Sequence, residues 1–291
     1  MAVQNSLQRS KGNQRLGITA YLTADAVKNQ INSVVGGKDG QRFISAIVSA
    51  VNTNPALQEC TNQSILSGAL LGESLKLSPS PQLGHYYLVP YNDKDKGKVA
   101  QFQLGYKGYI QLAIRSGQYK KINVIAVKEG ELEYFDPLNE EIKINMMIDR
   151  WDEREAAPTI GYYAMFELVN GFKKAIYWSK AQMESHAIKY SPGYKKDREK
   201  GWKYTFWSKD FDGMAYKTMI RQLISKWGVM SIEMQQAIDA DMAVINEDGS
   251  YVENDDSIID AQMTEVEQPE EVAGAPSDAP QDAQAALFGN N

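Results

Sequence analysis

The sequence predicts an α+β fold: N-terminal helices, a central antiparallel sheet of hairpins with an embedded helix, and a long C-terminal helix. Three observations carry this expectation. Apolar residues recur at helical spacing through the first 75 positions, give way to alternating and β-branched runs between 85 and 178, and return to helical spacing after 180. Strand-like runs follow one another in pairs, which argues against a doubly wound parallel sheet. Asn170-Gly171 separates two such runs by two residues, the spacing and chemistry of a tight hairpin.

Residues 1–20 are polar and basic, contain Gly12 and Gly17, and are expected to form a flexible arm. A helix is predicted over 23–35, with Thr23 at its cap, Asp25 in its first turn and Gly36-Gly37 as its stop. A second is predicted over 40–52 on the stripe Phe43, Ile44, Ile47, Val48 and Val51. A third begins at Thr61 or Asn62, presents Ile65, Leu66, Ala69, Leu70 and Leu75, and closes before Pro79 and Pro81. These three read as packing or assembly elements.

Strands are predicted over 85–91 and 99–104, joined by the charged loop 92–98, and a short helix follows the turn at Gly105-Tyr106 and ends at Gly117. Further strands are predicted over 121–128, 131–135, 142–146, 159–169 and 172–178. Helices over 180–189 and 206–227 come next, with a basic loop between them, and a last amphipathic segment covers 231–242. In the long helix Trp207, Phe211, Ala215, Met219, Leu223 and Trp227 recur every four residues as a core stripe, placing Lys217 and Arg221 on another, solvent-side face.

The formal net charge of −6 conceals a division. Residues 1–226 carry 31 basic and 22 acidic side chains, net +9, whereas 227–291 carry no basic and 15 acidic ones. The basic body favours a polyanionic partner. From Asn246 the apolar periodicity stops and Pro269, Pro276 and Pro280 punctuate an acidic, Ala- and Gln-rich run, so 246–291 is expected to be a disordered acidic tail. The organisation expected is therefore an arm over 1–20, a binding and assembly domain over 21–245, and the tail. The tail competes with the polyanion, recruits a partner through Leu287-Phe288, or only solubilises.

Several functions are excluded by what the chain contains. One cysteine, Cys60, rules out an intrachain disulfide, and two histidines, His85 and His186, are too few for a three-histidine metal site. No phosphate loop, dinucleotide fingerprint or His-Glu-x-x-His is present. No apolar run reaches the roughly 18 residues of a membrane helix, and the polar start with Arg9, Lys11 and Arg15 does not read as a secretion signal. A soluble, reducing, cytoplasmic setting is expected. The nearest approach to a catalytic motif is Asp136 followed by Glu141-x-Lys143, the order used by Mg²⁺-dependent nucleases. Asp136-Pro137-Leu138-Asn139 is equally a good turn.

Binding signals concentrate in residues 172–227, with 13 basic and five acidic side chains beside 12 aromatics. Within it, 190–207 reads YSPGYKKDREKGWKYTFW. Lys195, Lys196, Arg198, Lys200 and Lys203 are placed to neutralise phosphates, and Tyr190, Tyr194, Trp202 and Tyr204 to stack bases, a pairing suited to single strands. Lys107 beside Tyr106 and Tyr109, Arg115, the pairs Lys120-Lys121 and Lys173-Lys174, and helix-borne Lys217 and Arg221 continue the expected groove. A basic scaffold that recruits an acidic protein is the bland alternative, and the Mg²⁺-dependent nuclease the enzymatic one.

Four segments taken in order resemble the RecT/Redβ-type single-strand annealing proteins of phages and bacteria, in their RecT branch. They are 43–48 (FISAIV), 84–90 (GHYYLVP), 103–110 (QLGYKGYI) with 113–117 (AIRSG), and 207–221, which includes MAYKT and Ile220-Arg221. The resemblance implies an ATP-independent annealase that binds single-stranded DNA and holds the annealed duplex on rings or filaments of many subunits. It further implies a phage or prophage gene in a bacterial cell, a partner exonuclease, and a core related to eukaryotic recombination annealing proteins; a host single-strand-binding protein is one candidate, beside the nuclease, for what the acidic tail would recruit. No cofactor is required on this reading; Mg²⁺ is expected at most to modulate annealing. By the same resemblance Lys107 and Arg115 belong to the strand–turn–helix block, and Lys217 and Arg221 to the late helix.

Overall fold

Helical spacing near the start of the chain becomes four helices and a 3-10 turn, α1 (Ile18–Thr23), α2 (Asp25–Val35), α3 (Gly40–Thr53), Pro55–Glu59 and α4 (Asn62–Ser74). The computed structural model describes residues 16–36, 39–93, 96–241, 244–245 and 251–252. The chain divides into two units, Met1–Asn254 and Asp255–Asn291, and all described residues belong to the first. Residues 1–15 of the expected arm, and the expected tail apart from Tyr251 and Val252, lie outside them.

Helix α1 starts at Ile18, inside the stretch 1–20 that composition assigns to an arm. Leu22 is fully buried, the Tyr21 hydroxyl donates to Gln63, and Asn62 Nδ2 donates to the Leu16 carbonyl (2.8 Å), so α1 is tied to the start of α4. Thr23 does not cap α2. Its Oγ1 donates to the Thr19 carbonyl at 2.8 Å within α1, and extended Ala24 separates the two helices. Thr61 does cap α4, accepting from the Ser64 amide at 3.3 Å, an interaction typically worth about 1 kcal/mol.

Strands β1 (Tyr86–Asp93) and β2 (Gly97–Leu104) pair antiparallel with Tyr86 opposite Leu104. Tyr86 stacks on Phe102, and its ring lies where a side chain at Gly72 would project, so glycine lets α4 approach the hairpin. Next come α5 (Tyr106–Arg115), β3 (Tyr119–Lys128), β4 (Leu132–Asp136), β5 (Glu141–Ile144), α6 (Trp151–Ala156), β6 (Thr159–Leu168) and β7 (Lys173–Ser179). The expected single central sheet is instead several: β3-β6-β7 form one three-stranded antiparallel sheet, while β1-β2 and β4-β5 are separate pairs. The Asn170-Gly171 turn is where the sequence puts it, with Gly171 at φ +89°.

The β4-β5 hairpin and α6 are inserted between β3 and β6, and a buried carboxylate anchors them. Glu131 accepts from the Lys128 amide (2.8 Å), the Met147 amide (3.2 Å) and Arg154 Nε (2.6 Å), while Arg154 Nη2 also donates to the Ala126 carbonyl. Burial pushes Glu131 up, and these hydrogen bonds overcome it and hold the carboxyl below its ordinary value.

The chain then forms α7 (Lys180–Tyr190), α8 (Pro192–Lys200), α9 (Phe206–Lys209), α10 (Phe211–Trp227), α11 (Ile232–Asp239) and the short pair β8 (Val244–Ile245) and β9 (Tyr251–Val252). The long helix expected over 206–227 breaks at Asp210, whose side chain accepts from the Gly213 amide (2.9 Å) and caps α10. Helix α10 lies across the three-stranded sheet, burying Ala215, Met219, Ile220, Leu223 and Ile224 in one core with Tyr162, Ala164 and Phe166 of β6. Tyr251 and Val252, assigned by composition to the tail, pair with β8.

Candidate nucleic-acid interface

The segment that reads as a basic loop is a helix and a locked turn. Pro192 stands in the first turn of α8, Ser191 caps it by accepting from the Tyr194 amide, and Gly201 at φ +67° ends it. Buried Asp197 then holds the chain that follows. Its Oδ2 accepts from the amides of Tyr204 (3.0 Å) and Thr205 (2.8 Å) and from the hydroxyls of Thr205 (2.8 Å) and Ser208 (2.7 Å). Burial opposes ionisation here, but donors from Thr205, Ser208 and Tyr204 outweigh it and keep the carboxyl below its ordinary value.

This clamp leaves Lys195 and Lys196 exposed on α8, and Trp202, Lys203 and Tyr204 exposed on the turn. Lys200 Nζ lies 4.5 Å from the Trp202 ring centre, and Trp202 meets Tyr204 edge-on at 5.4 Å. Phe206 continues the row to the first hairpin, where its ring is 6.1 Å from Tyr87. Lys107 of α5 lies beside Tyr87, since a side chain placed on Gly84 would meet Tyr87 Oη at 2.9 Å and Lys107 Cδ at 3.4 Å. Tyr87, Phe206, Trp202 and Tyr204 are 37%, 39%, 43% and 72% exposed, large values for aromatic side chains. Nearby His85 accepts from the Ser78 amide (3.2 Å), and its pKa is lowered by burial, then by the charges of Arg115 and Lys107. The result is two pairs of accessible rings, Trp202 with Tyr204 and Tyr87 with Phe206, joined through Thr205, with Lys200 beside the first pair and Lys107 beside the second.

The remaining sequence-predicted residues are distributed differently. Tyr109 is fully buried and Lys217 is 8% exposed, which corrects the expectation that they face a groove. Both hold Asp241: Lys217 Nζ donates to Oδ1 (2.8 Å), Tyr109 Oη to Oδ2 (3.0 Å), and the Leu104 amide to Oδ1 (2.9 Å). Burial lowers the Lys217 pKa against the opposing pull of Asp241. Arg221 is partly buried and its charge acts on Tyr109 and Lys217, so it too belongs beside this interior cluster rather than on the solvent-side face assigned to it. Arg115 is exposed, but its guanidinium forks onto the carbonyls of Leu75 (2.6 Å) and Lys76 (3.0 Å) at the end of α4.

Lys120, Lys121 and Lys173 do come together, around Glu167 at 2.8, 3.8 and 3.5 Å. The Lys120 hydrogen bond is the main cause that holds the Glu167 carboxyl below its ordinary value. Lys174 points elsewhere, pairing with Glu140 and lying 4.2 Å from the Trp227 ring centre. Asp136 organises its turn, accepting from the Leu138 amide (2.8 Å) and Asn139 Nδ2 (2.7 Å), and Lys143 pairs with Glu133. Among the described residues no group of three or more His, Cys, Asp or Glu is placed to hold a metal ion, and no helix is long and apolar enough to cross a membrane.

Sequence reasoning missed Tyr87, Phe206, Asp197, Glu167 and Asp241. Asp197 had a signal, one of only two acids in the basic run 195–203, followed by Thr205 and Ser208. The contact between Tyr87 and Phe206 had none, because it joins β1 to α9.

Accessible rings interleaved with ammonium groups are the surface chemistry of proteins that hold single-stranded nucleic acid, here on an α+β body. Residues 41–258 match the model of the RecT family, and the chain belongs to that family. It is 41% identical over 242 residues to the uncharacterized protein YqaK of Bacillus subtilis (strain 168), covering 81% of this chain and 78% of that one. It is 28% identical over 269 residues to protein RecT of Escherichia coli (strain K12), covering 87% of this chain and 94% of that one.

Proposed function

We propose that this protein binds single-stranded DNA along the strip from Lys107 through Tyr87, Phe206, Tyr204 and Trp202 to Lys200 and Lys203, and anneals complementary strands without ATP. The observation that carries the reading is the set of four exposed rings, two of them, Trp202 and Tyr204, on the turn that the buried Asp197 clamp fixes. Exposed aromatic side chains on a fixed turn stack bases of any sequence, and lysines beside them neutralise phosphates. Naked complementary strands repel; a cationic track screens them, extends each strand and leaves Watson–Crick edges exposed. Base pairing then supplies the selectivity. No bond is made or broken in the DNA, so no catalytic residue is assigned.

Membership of the RecT family supports placing this activity in homologous recombination. Assembly of subunits into a ring or filament repeats weak contacts along one strand and raises their effective concentration. A partner exonuclease that exposes the strand, contact with a single-strand-binding protein, and kinship of the core with eukaryotic recombination annealing proteins complete the reading.

The test is a fluorescence annealing assay with two complementary oligonucleotides, without ATP, in Mg²⁺ and in EDTA. Acceleration over the unaided rate in both conditions is the expected result. Binding without acceleration leaves only a recruitment surface, and strands shortened in Mg²⁺ alone indicate a nuclease.

A further inference from the structure

The structure separates cations that the sequence places in one groove. Residues Tyr162, Ala164 and Phe166 of β6 face α10, so by strand alternation Glu167 projects from the opposite face of the sheet. Lys121 and Lys173 are its register partners on β3 and β7 and share that face, and a shift in register after Tyr119 brings Lys120 in as well. The four side chains therefore meet on the side of the sheet turned away from α10. They also sit at the far end of it. Six residue steps along β7, about 20 Å, separate Lys173 from Ser179, whose register partner Gly161 adjoins the Tyr162–Phe211 contact at the start of α10.

Two cations that the sequence places between the two regions are engaged elsewhere. Arg115, which would continue the strip from Lys107, has its guanidinium on the Leu75 and Lys76 carbonyls, and Lys217 is buried on Asp241. Phe172, beside Lys173, leans on Phe166 at 6.0 Å.

Glu167 is 7% exposed in its side chain, whereas the three lysines are 60–65% exposed. One inward carboxylate cannot neutralise three ammonium groups, so the cluster keeps a surplus of positive charge. Its effect is positional: the buried acid gathers the three ammonium groups at its carboxylate, and the lysine side chains stay largely open to solvent. Lys121 and Lys173 stand on the strands either side of β6, and their ammonium groups converge on the same Glu167 oxygen, at 3.8 and 3.5 Å. Cations gathered in this way read a phosphate backbone, in contrast to the ring-rich strip, which reads bases as well.

We propose that Lys120, Lys121 and Lys173, gathered by Glu167, form a second nucleic-acid site that takes the phosphodiester backbone of a strand other than the one on the aromatic strip. This rests on the annealing reading and extends it: one subunit would hold the two partners of the pairing reaction on separate surfaces.

The experiment uses the full chain in three forms, wild type, K121Q/K173Q and K121R/K173R. A labelled 40-nucleotide strand is first bound to saturation and followed by anisotropy; a complementary strand with a second label is then added and its capture followed by energy transfer. In K121Q/K173Q, first-strand affinity and salt slope should equal wild type, while the salt slope of second-strand capture falls by about 1.4 for two lost phosphate contacts. Capture in low-salt buffer should slow at least tenfold, and K121R/K173R should restore it. Equal loss of first-strand affinity overturns the proposal in favour of one continuous track, and unchanged capture overturns it outright. Failure of the wild-type protein to hold the first strand instead defeats the annealing reading, and the second site falls with it.

Discussion

Lys217 donates to Asp241 at 2.8 Å, and neither side chain is more than 10% exposed. A cation expected on the DNA-facing side of α10 is instead the centre of a buried cluster that ties α5, α10 and the end of β2 to the segment after α11. Removing one partner strands the other's charge in the interior, which costs about 3–5 kcal/mol.

Lys217→Met should therefore lower the melting temperature by about 6–20 °C, read by circular dichroism. Affinity for single-stranded DNA, measured well below the transition and normalised to folded protein, should stay at the wild-type value. A loss of affinity without a loss of stability would return Lys217 to the DNA surface.

Asp197 makes a prediction that runs against simple electrostatics. Asp197→Ala removes a negative charge from a lysine-rich segment, so charge alone predicts tighter binding to DNA. The clamp predicts the reverse, because the Tyr204 and Thr205 amides and two hydroxyls lose their common acceptor and the turn carrying Trp202 loosens. Weaker binding, with greater quenching of Trp202 fluorescence by acrylamide, is the expected outcome.

The same carboxylate sets a pH window. Its folded pKa is depressed below the ordinary 3.8, so its stabilising effect is complete above that value and is lost as pH falls through the folded pKa. The acrylamide accessibility of Trp202 should stay flat from neutrality to about pH 5, where an ordinary carboxylate is still ionised, and rise below 3.8. Asp197→Asn should show the loosened turn at neutral pH and no such acid step.

Much of this body was legible locally. The Asn170-Gly171 hairpin and the stripe of α3 are written in nearest-neighbour chemistry, and both stand where the sequence puts them. Helix α8 was not legible, because its nine residues carry almost no apolar pattern; Pro192, the Ser191 cap and Asp197 hold it instead. Periodicity also misplaced Lys217. A stripe argument assumes one buried face, whereas α10 is covered by the sheet on one side and by α5 and the Asp241 segment on another. The strip itself depends on β1 meeting α9, which no window of sequence contains.

Rings and lysines on the strip should separate in a salt titration. Trp202→Ala and Tyr204→Ala each remove a stacking contact worth about 1–3 kcal/mol, roughly 5- to 150-fold in affinity, and leave the salt slope unchanged. Lys107→Gln and Lys203→Gln should weaken unrelated sequences equally and reduce the slope by about 0.7 each. Fluorescence titration of a mixed-sequence strand at four salt concentrations reads both quantities, and identical behaviour of the two sets would dissolve the distinction.

Arg115 provides the sharpest separation of charge from geometry. Its two nitrogens reach the Leu75 and Lys76 carbonyls, and Lys76 has φ +52°, where α4 ends in a left-handed turn that leaves those carbonyls without helical donors. A guanidinium spans both acceptors at once; an ammonium is a point donor that serves one well. Arg115→Lys keeps the charge, so a phosphate contact would survive it largely intact. A capping role predicts that stability falls by about 1 kcal/mol, the net worth of a hydrogen bond at a partly exposed site, while single-strand affinity and salt slope stay at wild-type values. Arg115→Gln should then lose no more than a little additional stability and still leave the salt slope unchanged. A slope that drops in Arg115→Gln but not in Arg115→Lys would mean the guanidinium also meets phosphate when DNA is bound.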